Sequence, residues 1–369
     1  MQCRPTVSFI VPCYNLAHYL SECIQSILSQ TYTNFEVLIM DDCSPDDTRY
    51  IATSFCDPRI VYIRNQENLG HLANYNKGIS ASRGRYIWLI SADDRLRSSS
   101  LLDRYVTLMD NQPTVGYSCC PAMKLEGGQE TRIEGCLTTR DTIFDGQTFL
   151  RILLKGNCII AASGMVRRDC YEKCGAFPLD LPYSGDWFLW CLFALQYQIA
   201  YFAEPMVNYR THELSMTNYL MNHRSALALK EGFLVLWRVR RQAQEVGTDK
   251  VVRLCAMSLA SLYARHLIGG RYESWAYGMT EEDMESSLTA ECVDQADRDW
   301  IKARTWKIIG DRNLSMNNLA AAAICYKRAV RYDNALASAW LKLLILRTGG
   351  ARGVDFARGL WRLRKVAVK

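Results

Sequence analysis

The chain of 369 residues has a mass of 42.2 kDa, is 49% hydrophobic and 22% charged, and carries a formal net charge of +6. This length allows two or three domains, and the composition excludes a disulfide-stapled miniprotein and a disordered chain. The charge is uneven, because residues 300–369 carry 15 Lys or Arg against 3 Asp or Glu. The basic end is predicted either to meet an acidic partner, such as anionic lipid or nucleic acid, or to be a solvated surface.

Cysteine usage and hydropathy give an expectation for location. The 15 cysteines are scattered without a Cys-x-x-Cys pair, and so many free thiols would mispair in an oxidising compartment. Residues 1–5 lead into an apolar strand without signal-peptide features. The longest apolar window, residues 187–203, contains two glutamines and predicts a buried helix followed by a strand rather than a membrane span. We therefore expect a cytoplasmic protein.

Strand and helix signals alternate through the first ninety residues. Runs rich in β-branched and aromatic residues predict strands over residues 7–11, 35–40, 59–63 and 86–90. The first strand is expected to end at Pro12, and helical periodicity predicts helices over residues 16–29 and 72–82. Strands joined by helical crossovers indicate a parallel α/β sheet. From about residue 222 onward, helical patterns replace the strand signals.

Two of the predicted strands are followed by paired carboxylates, Asp41-Asp42 and Asp93-Asp94. Because parallel strands end at the same edge of a sheet, the two pairs are expected to converge there. Adjacent carboxylates suit a hard divalent cation or a hydroxyl-rich ligand. The alternative is that each pair only caps the helix that follows it.

Several familiar site motifs are absent from the sequence. It contains no Gly-x-Gly-x-x-Gly and no P-loop motif, which weighs against a dehydrogenase and a P-loop NTPase. It also lacks Gly-x-Ser-x-Gly and His-Glu-x-x-His, so hydrolase and zinc-protease interpretations lose their usual support.

Six segments, in order and spacing, resemble the inverting family 2 glycosyltransferases of the GT-A, nucleotide-diphospho-sugar transferase fold. These segments are Val7–Asn15, Ser26–Tyr32, Phe35–Ser44, Ser91–Asp94, Gly185–Trp187 and Tyr209–His212. The resemblance implies an α/β fold, with a GT-A Rossmann-like mixed sheet flanked by helices and an all-α C-terminal region. We expect a catalytic domain over residues 1–220 and a helical region over residues 221–369.

The resemblance also implies roles in binding a nucleoside diphosphate sugar. Tyr14 would stack on the base, and Asp42 would accept a hydrogen bond from the N3–H of uracil or thymine. Pro12 and Asn15 would shape the loop around the nucleotide, and residues 68–77 would cover it. The donor-nucleotide set implied in this way is Pro12, Tyr14, Asn15, Asp42, Asp93 and Arg210.

A divalent metal, Mg²⁺ or Mn²⁺, belongs to the same expectation. Asp93 and Asp94 fall on the metal motif of the family, usually Asp-x-Asp, and His212 would complete the metal shell or reach the diphosphate. Ser91 stands at the first position of that motif and leaves fewer hard ligands. Arg210 offers two forked donors to phosphate.

Asp186 lies where the family places its general base. Inversion by a single displacement needs one carboxylate to accept the proton of the attacking hydroxyl. Burial beside Trp187 is expected to raise the proton affinity of Asp186. The alternative is an N-cap for a helix over residues 186–196. The family often has Glu before this Asp, where this chain has Gly185.

The remaining segments are predicted to serve the acceptor and partners. Residues 115–180 should build the acceptor cleft, with an exposed hairpin or lid over residues 124–134. Helices over residues 320–331 and 335–346 weakly resemble one tetratricopeptide-type helix pair. The tail over residues 356–369 mixes aromatic and basic residues, and is interpreted either as a peripheral contact with an anionic membrane or as a frayed basic tail.

These expectations describe a cytoplasmic enzyme, peripheral at the inner face of the cell membrane. It would transfer a sugar from a UDP- or dTDP-sugar to a hydroxyl of a glycan or lipid-linked glycan in surface polysaccharide biosynthesis, and no nucleic acid partner is expected. A sugar nucleotidyltransferase would need a Gly-rich, basic N-terminal phosphate loop, which is absent. A non-catalytic carbohydrate-binding or scaffold protein that keeps the fold is the other alternative, and Ser91 is its support.

Overall fold

The computed structural model describes residues 4–133, 137–213, 215, 225–269, 278–292 and 294–347. The chain divides into two compact units, Met1–Val235 and Leu236–Lys369. The expected domain boundary after residue 220 and the basic tail over residues 356–369 both lie outside the described residues. Those two expectations therefore stay predictions.

The first unit is built on an eight-stranded mixed sheet with the strand order β3-β2-β1-β4-β10-β6-β11-β9. Its strands are β1 Val7–Cys13, β2 Phe35–Asp41, β3 Ile60–Arg64, β4 Tyr86–Leu89, β6 Val115–Cys119, β9 Thr142–Phe144, β10 Met165–Arg167 and β11 Gln198–Tyr201. The first four strands are parallel, whereas β10 runs antiparallel to β4 and β6. The expected mixed sheet and strand–helix alternation are confirmed.

Helices cover the sheet and join its strands. They are α1 Ala17–Leu28, α2 Thr48–Ser54, α3 His71–Ala81, α4 Leu101–Asn111, α5 Gly146–Leu153, α6 Arg168–Cys174 and α7 Gly185–Gln196. The apolar window of residues 187–203 forms most of α7 and then β11, as expected. Trp88 is at the centre of the core, stacked between Phe9 and Tyr105 at ring-centroid distances of 5.4 and 5.1 Å.

The prediction that Pro12 ends the first strand is wrong. β1 continues through Pro12 to Cys13, and Pro12 pairs with Met40 of β2. A proline is tolerated near a strand end where no ladder donor is needed. Its carbonyl still accepts the Ala92 N–H at 3.1 Å, so the strand is held beyond the end of β4.

A smaller sheet has the order β5-β12-β7-β8. Its strands are β5 Arg95–Leu96, β7 Ala122–Glu126, β8 Gln129–Arg132 and β12 Val207–Arg210. Gly127 and Gly128 join β7 to β8 with φ angles of +54° and +82°, which suit glycine. The expected hairpin is confirmed. β12 pairs with β5 and β7 and so brings Arg210 next to the loop that follows β4.

The C-terminal part of the chain is helical in its described residues. Its helices are α8 Ser225–Glu245, α9 Asp249–Gly269, α10 Glu281–Glu291, α11 Gln295–Ser315, α12 Leu319–Tyr332 and α13 over residues 337–347. Tyr326 and Ala329 of α12 pack in one cluster with Ala339 and Leu343 of α13. The two helices form a packed pair, and its likeness to a tetratricopeptide unit stays a prediction.

One described helix, α9, passes a length and composition test for a membrane span, over Asp249–Ile268 with a mean hydropathy of 1.3. The same helix buries Val251, Cys255, Leu259 and Tyr263, which recur every four residues. This spacing is typical of a helix that packs one face into a protein core, and core helices pass the same test. The described cysteines are free and most are buried, as expected.

Gly84, just before β4, occupies a position without room for a side chain. A Cβ there would lie 2.5 Å from the backbone nitrogen of Ser8 and 2.7 Å from the carbonyl carbon of Val7. We expect Gly84→Ala to lower the free energy of unfolding by about 1–3 kcal/mol, the usual cost of overpacking. Urea denaturation followed by tryptophan fluorescence measures this change.

Gly278→Ala is the control, because a Cβ at that position meets no atom within 4 Å. We expect it to change the free energy of unfolding by less than about 0.5 kcal/mol. Equal denaturation midpoints for the two variants would contradict the close approach of Gly84 to β1.

Candidate functional site

The loop after β1 presents an exposed aromatic ring at the carboxyl edge of the large sheet. Tyr14 is 48% exposed, which is unusual for a large aromatic side chain this close to a buried strand. Asn15 follows with a φ of +57°, in the left-handed region that Asn tolerates, and its N–H donates to Ser44 Oγ at 3.2 Å. This turn follows a Tyr14 ring that is about half exposed.

Asp42, at the end of β2, organises the loop that follows β3. Its Oδ1 accepts hydrogen bonds from Asn65 Nδ2 at 2.7 Å and from the Leu69 N–H at 2.9 Å. Its Oδ2 accepts the Gly70 N–H at 3.0 Å. A carboxylate offers about four acceptor positions, so Asp42 holds residues 65–70 in place and retains acceptor capacity.

Asp41, beside it, is tied to its own loop and to β3. It accepts hydrogen bonds from the Ser44 N–H, from the Tyr62 hydroxyl and from the Arg64 guanidinium. Burial opposes its ionisation, but these hydrogen bonds outweigh burial and lower the pKa of Asp41. The N-cap of α2 is Asp47. The alternative that the first pair caps the next helix is therefore wrong.

Asp93 lies in the loop after β4 and makes hydrogen bonds to residues at the end of β12. Its Oδ2 lies 3.0 Å from His212 Nε2, and its backbone carbonyl accepts from Arg210 Nε at 2.7 Å. Its Oδ1 is buried without a hydrogen-bond partner. A buried carboxylate oxygen without a donor is costly, and a cation at this position would satisfy it.

Asp94 is more deeply buried, at 5% exposure. Its Oδ1 accepts the Arg210 backbone N–H at 2.9 Å. Burial and the neighbouring Asp93 raise the pKa of Asp94 well above its ordinary value. The second carboxylate pair therefore fixes β12 beside the loop after β4, instead of capping α4, whose N-cap is Ser100.

The guanidinium of Arg210 contacts side chains of α1. It forms an ion pair with Glu22 of α1 and lies 4.4 Å above the ring of Tyr19. Tyr19 also lies beside His212, with a ring-centroid distance of 5.3 Å. These contacts join α1, the loop after β4 and β12 into one wall of the site.

The donor atoms at this wall fit a divalent cation that binds together with a ligand. No group of three or more His, Cys, Asp or Glu side chains is arranged for a metal in the part of the chain that the structure describes. Asp93 supplies carboxylate oxygens and His212 supplies an imidazole nitrogen. Asp93 Oδ2 and His212 Nε2 lie 3.0 Å apart. Mg²⁺ is usually held by one or two carboxylates together with substrate phosphates, and imidazole is a common partner for transition metals.

Asp186 is the second residue of α7 and lies in the first turn of that helix. Its Oδ2 accepts from Asn157 Nδ2 at 3.0 Å, and its Oδ1 accepts the Trp187 N–H at 2.6 Å. Burial raises the pKa of Asp186 to about 6. The alternative that Asp186 is the N-cap is wrong, because that position belongs to Ser184.

Tyr75 of α3 is a buried phenol whose pKa responds both to Asp186 and to the Asp93-Asp94 pair. Burial and the nearby carboxylates of Asp93, Asp186 and Asp94 raise its pKa above the ordinary value. All three carboxylates thus act electrostatically on the same phenol. Tyr75 lies inside the segment of residues 68–77 that was expected to cover the nucleotide, but no motif singled it out. Asn157 carried no sequence signal.

Comparisons with known proteins fit this arrangement. An uncharacterized glycosyltransferase of Rickettsia typhi is 28% identical over 236 residues, covering 62% of this chain and 72% of that protein. The UDP-Glc:alpha-D-GlcNAc-diphosphoundecaprenol beta-1,3-glucosyltransferase WfgD of Escherichia coli is 40% identical over 88 residues, which are 24% of this chain and 35% of that protein.

A solved structure shares the fold. The crystal structure of S. aureus TarS 1-349 in complex with UDP-GlcNAc superposes with a TM-score of 0.55 at 14% identity, covering 93% of this chain and 92% of that chain.

The sequence model of glycosyl transferase family 2 matches residues 8–175. The matched segment contains Asp42, Asp93 and Asp94, whereas Asp186 and His212 follow it along the chain. The match, the fold and these relatives agree with the resemblance of the six sequence segments. Over residues 8–175, the chain is similar to glycosyl transferase family 2.

Proposed function

We propose that this protein is an inverting glycosyltransferase that moves a sugar from a UDP- or dTDP-sugar to a hydroxyl of a glycan or lipid-linked glycan. The observation that carries the proposal is Asp186, a carboxylate in the first turn of α7 that accepts a hydrogen bond from Asn157 and whose pKa burial raises to about 6. Support for the donor comes from the UDP-GlcNAc complex of TarS and from the name of WfgD. The name of WfgD also supports a lipid-linked acceptor.

The nucleotide would bind at the ends of β1 and β2. The half-exposed ring of Tyr14 would stack on the base, and Pro12 and Asn15 would shape the loop around the nucleotide. Asp42 would accept the N3–H of uracil or thymine with its remaining acceptor capacity, while its bonds to residues 65–70 hold it in place. Cytosine lacks this proton, so the same carboxylate disfavours a cytidine nucleotide.

The diphosphate would lie against the wall formed by α1, the loop after β4 and β12, close to Asp93. Asp93, Asp94 and His212 are the residues that would hold Mg²⁺ or Mn²⁺, and Asp94 also accepts the backbone N–H of Arg210 on β12. A bound cation supplies Lewis-acid stabilisation of the negative charge on the departing nucleoside diphosphate. The charge of Arg210 adds to this stabilisation while its guanidinium stays bonded to Glu22 and the Asp93 carbonyl.

Asp186 would act as the general base. It accepts the proton of the acceptor hydroxyl as that oxygen forms a bond to the anomeric carbon, and the bond from this carbon to the diphosphate oxygen breaks on the opposite face. The proton ends on Asp186, and the electron pair leaves with the nucleoside diphosphate. A base with a pKa near the working pH accepts a proton in the transition state and releases it afterwards.

The place of the reaction is also part of the proposal. A cytoplasmic enzyme that is peripheral at the inner face of the membrane would meet soluble nucleotide sugars and lipid-linked acceptors. The basic tail over residues 356–369 is the segment proposed for that contact. The alternative, a scaffold that keeps the fold, has Ser91 as its support and predicts no turnover.

Asp186→Asn tests the general base. We expect it to lower kcat by about 10²- to 10⁴-fold, because an amide cannot accept the proton. The dissociation constant of UDP should stay within about threefold, since Asp186 lies outside the proposed nucleotide pocket. The measurement is UDP or dTDP release from a panel of UDP- and dTDP-sugars, with calorimetry for binding.

Asp169→Asn is the matched control, because Asp169 is the exposed second residue of α6 just as Asp186 is the second residue of α7. It should leave kcat unchanged. Turnover by Asp186→Asn at the rate of the unchanged protein would contradict the proposed base, and absence of turnover by the unchanged protein with every donor would favour the scaffold.

The pH profile of kcat/KM is the second test of the proposed base. Asp186 must be ionised to accept a proton, so activity should fall as the pH drops through about 6, the raised pKa of this carboxyl. Circular dichroism over the same pH range checks that the protein stays folded. A profile that stays flat down to about pH 4, where an ordinary Asp titrates, would contradict the role of Asp186.

A further inference from the structure

Glu231 of α8 is a buried carboxylate behind the helix that carries Asp186. It is 0% exposed, and its Oε2 accepts the Tyr183 N–H at 2.9 Å and the Ser184 N–H at 2.6 Å. Its Oε1 is buried without a hydrogen-bond partner. Glu231 therefore contacts the backbone just two residues before Asp186.

The first turn of α7 has neither a side-chain N-cap nor a capping box. Ser184 is the N-cap, but its side chain makes no capping hydrogen bond. In a capping box, a Glu or Gln at the third helical position accepts the N–H of the N-cap residue, and here that position is Trp187. Glu231 supplies the missing acceptor from another helix, where an anion is also favoured by the helix dipole.

The segment before α7 is also held by α3. Asn76 donates to the Phe177 carbonyl at 2.8 Å and accepts the Phe177 N–H at 2.9 Å. His71 Nε2 lies 2.8 Å from the Pro182 carbonyl. The chain is therefore held at Phe177 and Pro182 by α3 and at Ser184 by Glu231, so that Asp186 follows a segment fixed at both ends.

We propose that Glu231 is a positioning residue: it fixes the first turn of α7 so that the carboxylate of Asp186 points at the acceptor hydroxyl, and it places a negative charge beside the start of that helix. This inference rests on the proposed function of Asp186. An uncharged side chain would satisfy the same backbone donors without burying a carboxylate oxygen that has no partner. The charge is what distinguishes Glu231 from a plain cap.

The electrostatic surroundings of Asp186 support the role of the charge. Glu231 acts on Asp186 to raise its pKa, in addition to the larger effect of burial. The phenols of Tyr75, Tyr117 and Tyr183 also interact electrostatically with Asp186, and burial raises the pKa of each of them, so they stay neutral when Asp186 titrates. Asp180 lies near Glu231, whose own pKa burial raises.

Glu231→Gln and Glu231→Ala in the full chain separate charge from shape. Gln keeps an oxygen that can accept both backbone N–H groups but carries no charge, whereas Ala removes the acceptor. The pKa of Asp186 is read by ¹³C NMR of protein labelled at the Asp carboxyl carbons, and its signal is identified by its loss in Asp186→Asn. Removal of a neighbouring negative charge favours the ionised form, so the titration midpoint of Asp186 should move to lower pH in Glu231→Gln.

Kinetics supply the second readout. We expect Glu231→Ala to lower kcat by about tenfold or more, because a small displacement of a catalytic group is costly, with the donor KM changed less than about twofold. Glu231→Gln should recover part of this kcat. The acid limb of its kcat/KM profile should lie at lower pH than that of the unchanged protein. Glu245→Gln, an exposed charge removal on the same helix, is the control and should change neither midpoint nor kcat.

An unchanged Asp186 midpoint in Glu231→Gln, or an unchanged kcat in Glu231→Ala, would overturn the inference. The NMR titration needs no turnover, so its result is separate from that of the proposed function. Turnover with an unmoved midpoint refutes only the role of Glu231. A shifted Asp186 midpoint in Glu231→Gln, together with no turnover of any donor by the unchanged protein, refutes the general base. Only the electrostatic effect of Glu231 on Asp186 then remains.

Discussion

The parallel pairing of β1 with both β2 and β4 is the constraint on which the site depends. It makes three strands end at one edge, where their loops meet. Two hydrogen bonds continue the pairing beyond the strands, from the Asp42 N–H to the Cys13 carbonyl at 2.9 Å and from the Ala92 N–H to the Pro12 carbonyl at 3.1 Å. The exposed ring of Tyr14 and both carboxylate pairs are positioned by this edge, and a change in the register of β1 would separate them.

The four carboxylates proposed for the site meet four different environments. Asp42 is bonded to the loop after β3, Asp94 is buried with a raised pKa, Asp93 has one oxygen without a donor, and Asp186 has a pKa of about 6. Environments that separate the proton affinities of like groups allow one site to contain both charge-binding and proton-accepting carboxylates. The chemistry proposed for this site depends on those differences more than on the number of acidic residues.

The sequence was sufficient for the strands that are long and apolar and for residues close to a strand end, such as Asp42 and Asp93. It was insufficient where the structure depends on distant segments. β5 has two residues and β10 has three, too few to show a period. Asn157 lies 29 residues from Asp186, and Glu231 lies 47 residues from Ser184, so no local pattern announces either contact. The prediction that Pro12 ends β1 was wrong because β4, the strand beside β1 on one side, ends before Pro12. No ladder hydrogen bond from the Pro12 nitrogen is needed there.

Calorimetric titration of UDP, dTDP, GDP and CMP into the protein, with and without Mn²⁺, tests the central claim most directly. We expect UDP or dTDP to bind with Mn²⁺ and CMP not to bind. We expect binding to be lost in the double variant Asp93→Ala/Asp94→Ala and retained in Asp169→Asn. Binding of no nucleotide under either condition, or binding that is unchanged in the double variant, would contradict a donor site at this edge of the sheet.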